Sequence, residues 1–143
     1  MKLSTGKVAF PIEFDNGAKT AIYFNPNDPD LMIRMKNFEG RVFERIKDFG
    51  DVELTNEGTP ADISEIETFE DMQNIIKEEL DTAFGGSVSS EVFKYCSPFA
   101  IVGGQYFIIQ FIEAITPEIE KHIKKSASES QKRMAKHIDK YRK

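Results

Sequence analysis

A chain of 143 residues, 40% hydrophobic and 30% charged, is one domain's worth of sequence, with enough apolar surface to form a core without disulfides or a structural metal. Its single cysteine, Cys96, excludes an intrachain disulfide and fits a reducing compartment. The net charge of −5 is unevenly spread: residues 121–143 hold nine Lys/Arg against Glu129 and Asp139, a surplus of +7, while residues 1–120 carry −12, which is an acidic body with a basic tail.

Residues 7–14 alternate, with Val8, Phe10, Ile12 and Phe14 on one face, and the alternation resumes as Ala18, Thr20, Ile22 and Phe24. Asn16-Gly17 by itself suggests a two-residue turn, but that turn sets Phe14 against Lys19. A three-residue loop pairs Phe14 with Ala18, Ile12 with Thr20 and Phe10 with Ile22, which keeps one face apolar. The expectation is therefore a hairpin in that register, with Gly17 in the left-handed conformation. Pro11 has no backbone donor and marks an edge strand.

Asp28-Pro29 reads as an N-cap followed by proline at the first helical position. Leu31, Met35, Phe38, Val42, Ile46 and Phe49 then recur at helical spacing, interrupted by Gly40, and Gly50 supplies a stop. Residues 51–58 read as a polar loop. Thr59-Pro60 starts a second helix with the stripe Ile63, Ile66, Phe69, Met72, Ile76, Leu80 and Ala83, ended by Gly85-Gly86. Ser89 or Ser90 caps a short helix through Val92, Phe93 and Tyr95, closed by Ser97-Pro98. A further helix is expected from Gln105 to Ile115, with Tyr106, Ile109, Ile112 and Ile115 on its face, and Pro117 either kinks it or begins a new helix capped by Thr116. The run 99–115 is broken by Gly103, Gly104, Gln105, Gln110 and Glu113 and falls short of the roughly 18 apolar residues of a membrane span. With no signal-peptide core near Met1 either, no membrane association and a cytoplasmic location are expected. The fold class is α+β, predominantly helical: an N-terminal β-hairpin packed on a bundle of four or five helices over residues 1–117, followed by a basic C-terminal helix or partly ordered tail over 118–143.

No motif assembles a nucleophile, a base and an oxyanion donor, so a non-enzymatic protein without catalytic, cofactor or metal site is expected. His122 and His137 read as exposed tail histidines, Cys96 as a small buried residue near a helix end, and Glu78, Glu79 and Asp81 as a solvated helix face. Gly85-Gly86-Ser87 and Gly103-Gly104 lack the spacing of phosphate loops. The tail has one aromatic, Tyr141, where single-strand binders interleave several, and the acidic body repels polyanions, which argues against nucleic acid.

The most distinctive segment is Leu80-Asp81-Thr82-Ala83-Phe84-Gly85-Gly86-Ser87, followed by the Ser89-Ser90-Glu91-Val92-Phe93 short helix. It resembles the tail assembly chaperones of long-tailed phages and prophages of Gram-positive bacteria, in which a helix ends Ile/Leu-Asp-x-x-Phe-Gly before a small, hydroxyl-rich turn and a short helix bearing Phe. Tyr23-Phe24-Asn25-Pro26 and Lys140-Tyr141-Arg142 also look like such proteins. The likeness covers residues 20–115; here the two glycines are adjacent, where many relatives separate them. It implies a cytoplasmic role in the host cell, holding the long helical tape-measure protein soluble while tail-tube subunits assemble. The alternatives are a structural tail-completion or connector subunit, or an unrelated bacterial interaction module. Gly17, Phe84, Gly85 and Gly86 are expected as structural turn residues. Partner binding is assigned to the tail residues Lys132, Arg133, Met134, Lys136, Ile138, Lys140, Tyr141 and Arg142, in a segment beyond Ser126 that is loosely ordered until a partner orders it. The competing expectation is a tail docked on the acidic body.

Overall fold

Residues 1–49 and 63–141 are described in the computed structural model. The chain begins with an antiparallel hairpin of β1 (Val8–Glu13) and β2 (Lys19–Phe24). Its register pairs Phe10 with Ile22 and Ile12 with Thr20, as the apolar alternation requires. The Phe14 amide donates to the Ala18 carbonyl (2.9 Å) and the Gly17 amide to the Phe14 carbonyl (3.0 Å), closing a three-residue loop in which Gly17 has φ 86°. A Cβ at Gly17 would meet nothing within 4 Å, so the cost of Gly17→Ala is conformational alone. A loss of about 1–2 kcal/mol in chemical denaturation is expected, and an unchanged midpoint would contradict it. Pro11 faces Ala21 at a pair that exchanges no ladder hydrogen bonds, so its missing N–H lies on the outer edge of β1.

Helix α1 (Pro29–Phe49) follows. Asp28 caps it through Oδ1, which accepts from the Asp30 amide at 3.0 Å. The helix buries Leu31, Met35, Phe38 and Val42, with Ile46 packed beside them. Gly40 has open space where a Cβ would stand. Gly40→Ala is therefore expected to stabilise the protein by up to about 1 kcal/mol, read as a raised denaturation midpoint. The expected stop at Gly50, the polar loop at 51–58 and the restart at Thr59-Pro60 lie outside the described residues, as do Arg142 and the side chains of Phe49, Ile63, Ile66, Ile138, Lys140 and Tyr141.

Helix α2 (Ile63–Phe84) lays Ile76, Leu80 and Ala83 against α1. The Arg34 Nε donates to the Ala83 carbonyl (2.8 Å), joining the start of α1 to the end of α2. Arg45 meets Glu79 at 2.8 Å and Arg41 meets it at 3.4 Å. Glu79 is thus a partner to two arginines rather than part of a solvated face.

At the end of α2 the Asp81 carbonyl accepts from both Gly85 (2.8 Å) and Gly86 (3.1 Å), with Gly85 at φ 74°. This is the left-handed helix stop that the Phe84-Gly85-Gly86 sequence implies. The Asp81 carboxylate turns the other way. Oδ1 accepts from the Val88 amide (2.8 Å) and the Ser89 amide (2.7 Å), and Oδ2 accepts from the Ser89 hydroxyl (2.8 Å). The short helix α3 (Ser89–Val92) is therefore capped by Asp81 from the preceding helix, not by Ser89 or Ser90: its N-cap residue is Val88, and Ser89 lies inside the first turn. The solvated reading of Asp81 is corrected accordingly. From α3, Glu91 accepts a hydrogen bond from the Thr20 hydroxyl of β2.

Gly103-Gly104 is a two-residue turn between β3 (Ile101–Val102) and β4 (Gln105–Tyr106), both glycines having positive φ. A helix from Gln105 is thus corrected: α4 runs from Phe107 to Tyr141 as a single element. Its first amides donate to loop carbonyls, Phe107 to Ala100 (2.8 Å) and Ile108 to Pro98 (2.9 Å). Pro117 lies inside α4 and starts no new helix, and Thr116 is no cap: its hydroxyl donates back to the Ile112 carbonyl at 2.7 Å. The buried face of α4 is Ile108, Phe111, Ile112, Ile115 and Ile119, so the expected stripe is rotated to include Ile108 and Phe111, while Tyr106 and Ile109 are only half-buried. The protein is thus α+β and mostly helical; among the described residues a hairpin packs on four helices around one core.

Candidate functional site

The first strand and the first three turns of α4 leave an open groove between them, about 1180 Å³ in volume. One wall is β1 with its turn, through Phe10, Ile12 and Phe14. The other is one face of α4, through Phe107, Phe111, Ala114 and Ile115, whose spacing of three and four residues is that of a single helical face. Val92, Tyr95 and Val102 close one end, with the Phe14 and Tyr95 rings meeting edge to face at 5.0 Å. Exposed apolar surface continues past that end, with Tyr95 at 52% and Ile101 at 56%.

The polar rim has one sign. Glu13, Asp15 and Glu118 border the groove, and no lysine or arginine among the described residues lines it. None of the β2 strand residues takes part, so the groove runs along the unpaired edge of β1, where Pro11 withholds a donor. A volume at or above the usual range of small-molecule pockets, about 300–1000 Å³, combined with an open side, suits a helix better than a metabolite. The blunted strand edge disfavours an added β-strand.

Cys96 also lines the groove but is half-buried, not buried as expected. Burial pushes its thiol up, and the nearby Asp15 charge adds to the effect. The thiol is therefore protonated at neutral pH and a poor nucleophile. His122 is likewise half-buried, its ring standing edge to face on Phe10 at 5.0 Å. The expectation of an exposed tail histidine is corrected: His122 belongs to the seam between α4 and the hairpin. Among the described residues no group of three or more His, Cys, Asp and Glu is placed to hold a metal ion, and no helix is long and apolar enough to cross a membrane.

Among the described residues, the tail positions assigned to partner binding do not line the groove. Lys132, Arg133, Met134 and Lys136 lie in an unbroken exposed stretch of α4, residues 127–136, with Met134 at 63% exposure. That stretch is helical, with every side chain exposed. Gly17 borders the groove, whereas Phe84, Gly85 and Gly86 belong to the Asp81 turn. The groove escaped sequence reasoning because its walls stand roughly a hundred positions apart; the only local signal was the run of apolar residues on α4 exceeding what one buried stripe requires. Compared with protein-family models, curated proteins and solved structures, the chain shows no match.

Proposed function

We propose that this chain is a non-catalytic tail assembly chaperone of a long-tailed phage or prophage, acting in the host cytoplasm on the tape-measure protein and the tail-tube subunits. The observation that supports it is the open, apolar, acid-rimmed groove between β1 and α4. A long helical client presents an apolar stripe that aggregates unless covered, and a groove lined by aromatic and aliphatic side chains covers a stripe of that kind. The acidic rim selects clients with basic flanks and keeps the chaperone itself soluble. The segment 80–93, with its helix stop, hydroxyl-rich turn and short helix, carries the likeness to that family.

Co-expression with a long helical tape-measure protein of such a phage tests the reading. The client is expected to stay soluble and to co-purify with the wild-type chain, and to precipitate with Ala114→Arg, which places a bulky cation on an exposed groove position. A client that stays insoluble with the wild-type chain, with no complex formed, rejects the chaperone. Purified virions are expected to lack the chain; its presence in them would make it a structural tail subunit instead.

A further inference from the structure

We propose that the groove of one copy receives the exposed basic segment of α4 from a second copy, so that the chain associates head to tail with itself. The charges are complementary. The groove rim offers Glu13, Asp15 and Glu118, and the segment offers Lys132, Arg133 and Lys136 around the exposed Met134. In the sequence, Ile138 and Tyr141 continue the Met134 spacing, which supplies an apolar stripe for an apolar groove. The lengths also agree. The groove wall from Phe107 to Glu118 spans about 17 Å of helix, and residues 127–141 span about 21 Å.

The same helix prevents the two from meeting within one chain. Residues 107–118 form the groove wall, and α4 continues without interruption to Tyr141. For its own tail to reach its own groove, α4 would have to break and reverse. The contact therefore falls between copies and uses two different surfaces, a heterologous arrangement that closes into a ring or extends as a chain. This inference shares the groove with the chaperone reading but does not rest on it, and its test needs no client, so the two fail separately. If both hold, the client displaces the tail.

Sedimentation velocity tests it. Wild-type protein at about 0.05 M salt is expected to form species larger than a monomer, and association is expected to weaken by about tenfold or more at about 0.5 M salt, where exposed charges are screened. A chain ending after Ser126 keeps the groove and lacks the tail; Ala114→Arg keeps the tail and blocks the groove. Each is expected to be monomeric alone, and an equal mixture is expected to give a one-to-one complex that grows no further. Should the shortened chain not fold, full-length Lys132→Glu with Arg133→Glu and Lys136→Glu takes its place, since all three side chains are exposed. A wild-type protein that is monomeric at low salt overturns the proposal. So does self-association that survives in either variant, or a mixture that stays monomeric.

Discussion

Phe24→Ala is expected to remove about 3–5 kcal/mol of stability, the range for emptying a buried aromatic site. Phe24 is 1% exposed and joins three elements. Its ring stacks on Phe10 at 4.2 Å with the planes 7° apart, and meets Phe84 edge to face at 4.7 Å. Phe84 in turn faces Phe111 of α4 at 6.1 Å, and Phe10 carries His122 on its other side. One ring thus lies in the path from α2 through the hairpin to α4. The loss includes aromatic pair terms of about 0.5–1.5 kcal/mol each beyond buried area. For a domain whose total stability is about 5–15 kcal/mol, the substitution consumes a large share. Urea unfolding should show a much lower midpoint at an unchanged slope, while Phe24→Leu should cost clearly less. A loss below about 1 kcal/mol would mean that the aromatic path does not hold the hairpin to the helices.

Asp81→Ala is expected to cost about 3 kcal/mol. The carboxylate accepts three hydrogen bonds, two from backbone amides at the start of α3 and one from Ser89, itself buried. Removing it leaves donors in a part-buried turn without their acceptor, at about 1–3 kcal/mol for each group that water does not reach. Helix α3 has only four residues and cannot sustain itself, since a single turn fixes more dihedrals than its hydrogen bonds repay. Its order therefore depends on Asp81, and with it the Glu91 contact to Thr20 on the hairpin. Asp81→Asn keeps one acceptor oxygen and should cost about half as much. Hydrogen exchange at Val88 and Ser89 should accelerate in both variants, and more in the alanine. Unchanged exchange at those amides would remove Asp81 from this role.

The elements legible in the sequence were those set by short-range rules. The hairpin register followed from keeping Phe10, Ile12 and Phe14 on one face, and the three-residue loop followed from the register. The cap at Asp28 followed from the Asp28-Pro29 pair, and the stripe of α1 from spacing. Less legible were features set by partners distant in the chain. Asp81 looks like one more carboxylate on an acidic helix until the turn after Gly86 brings Val88 and Ser89 under it. The Gly103-Gly104 turn carried a genuine local signal, two glycines between Ile101-Val102 and Gln105-Tyr106, which the surrounding helical apolar run obscured. The rotation of the α4 face had a similar origin. Nearly every position from Phe107 to Ile112 is apolar, so periodicity there cannot choose a face; tertiary burial chooses it, with Ile108 and Phe111 turned into the shared core and Phe111 facing Phe84 of α2. Pro117 stays within α4 because the first three turns are already anchored by tertiary burial, which outweighs one lost backbone hydrogen bond.

The order in which the chain is synthesised gives the groove a property of its own. Its strand wall leaves the ribosome early and its helical wall late. At about 5–20 residues per second, the stretch from Phe10 to Phe111 takes about 5–20 s to make. A hairpin forms in microseconds, so β1 and β2 meet early in that interval, with the Phe10 ring still lacking the His122 imidazole that stands on it in the finished fold. Nascent chains halted before α4 should therefore present that sticky sheet face to whatever holdase is at hand, whereas chains released after it should not.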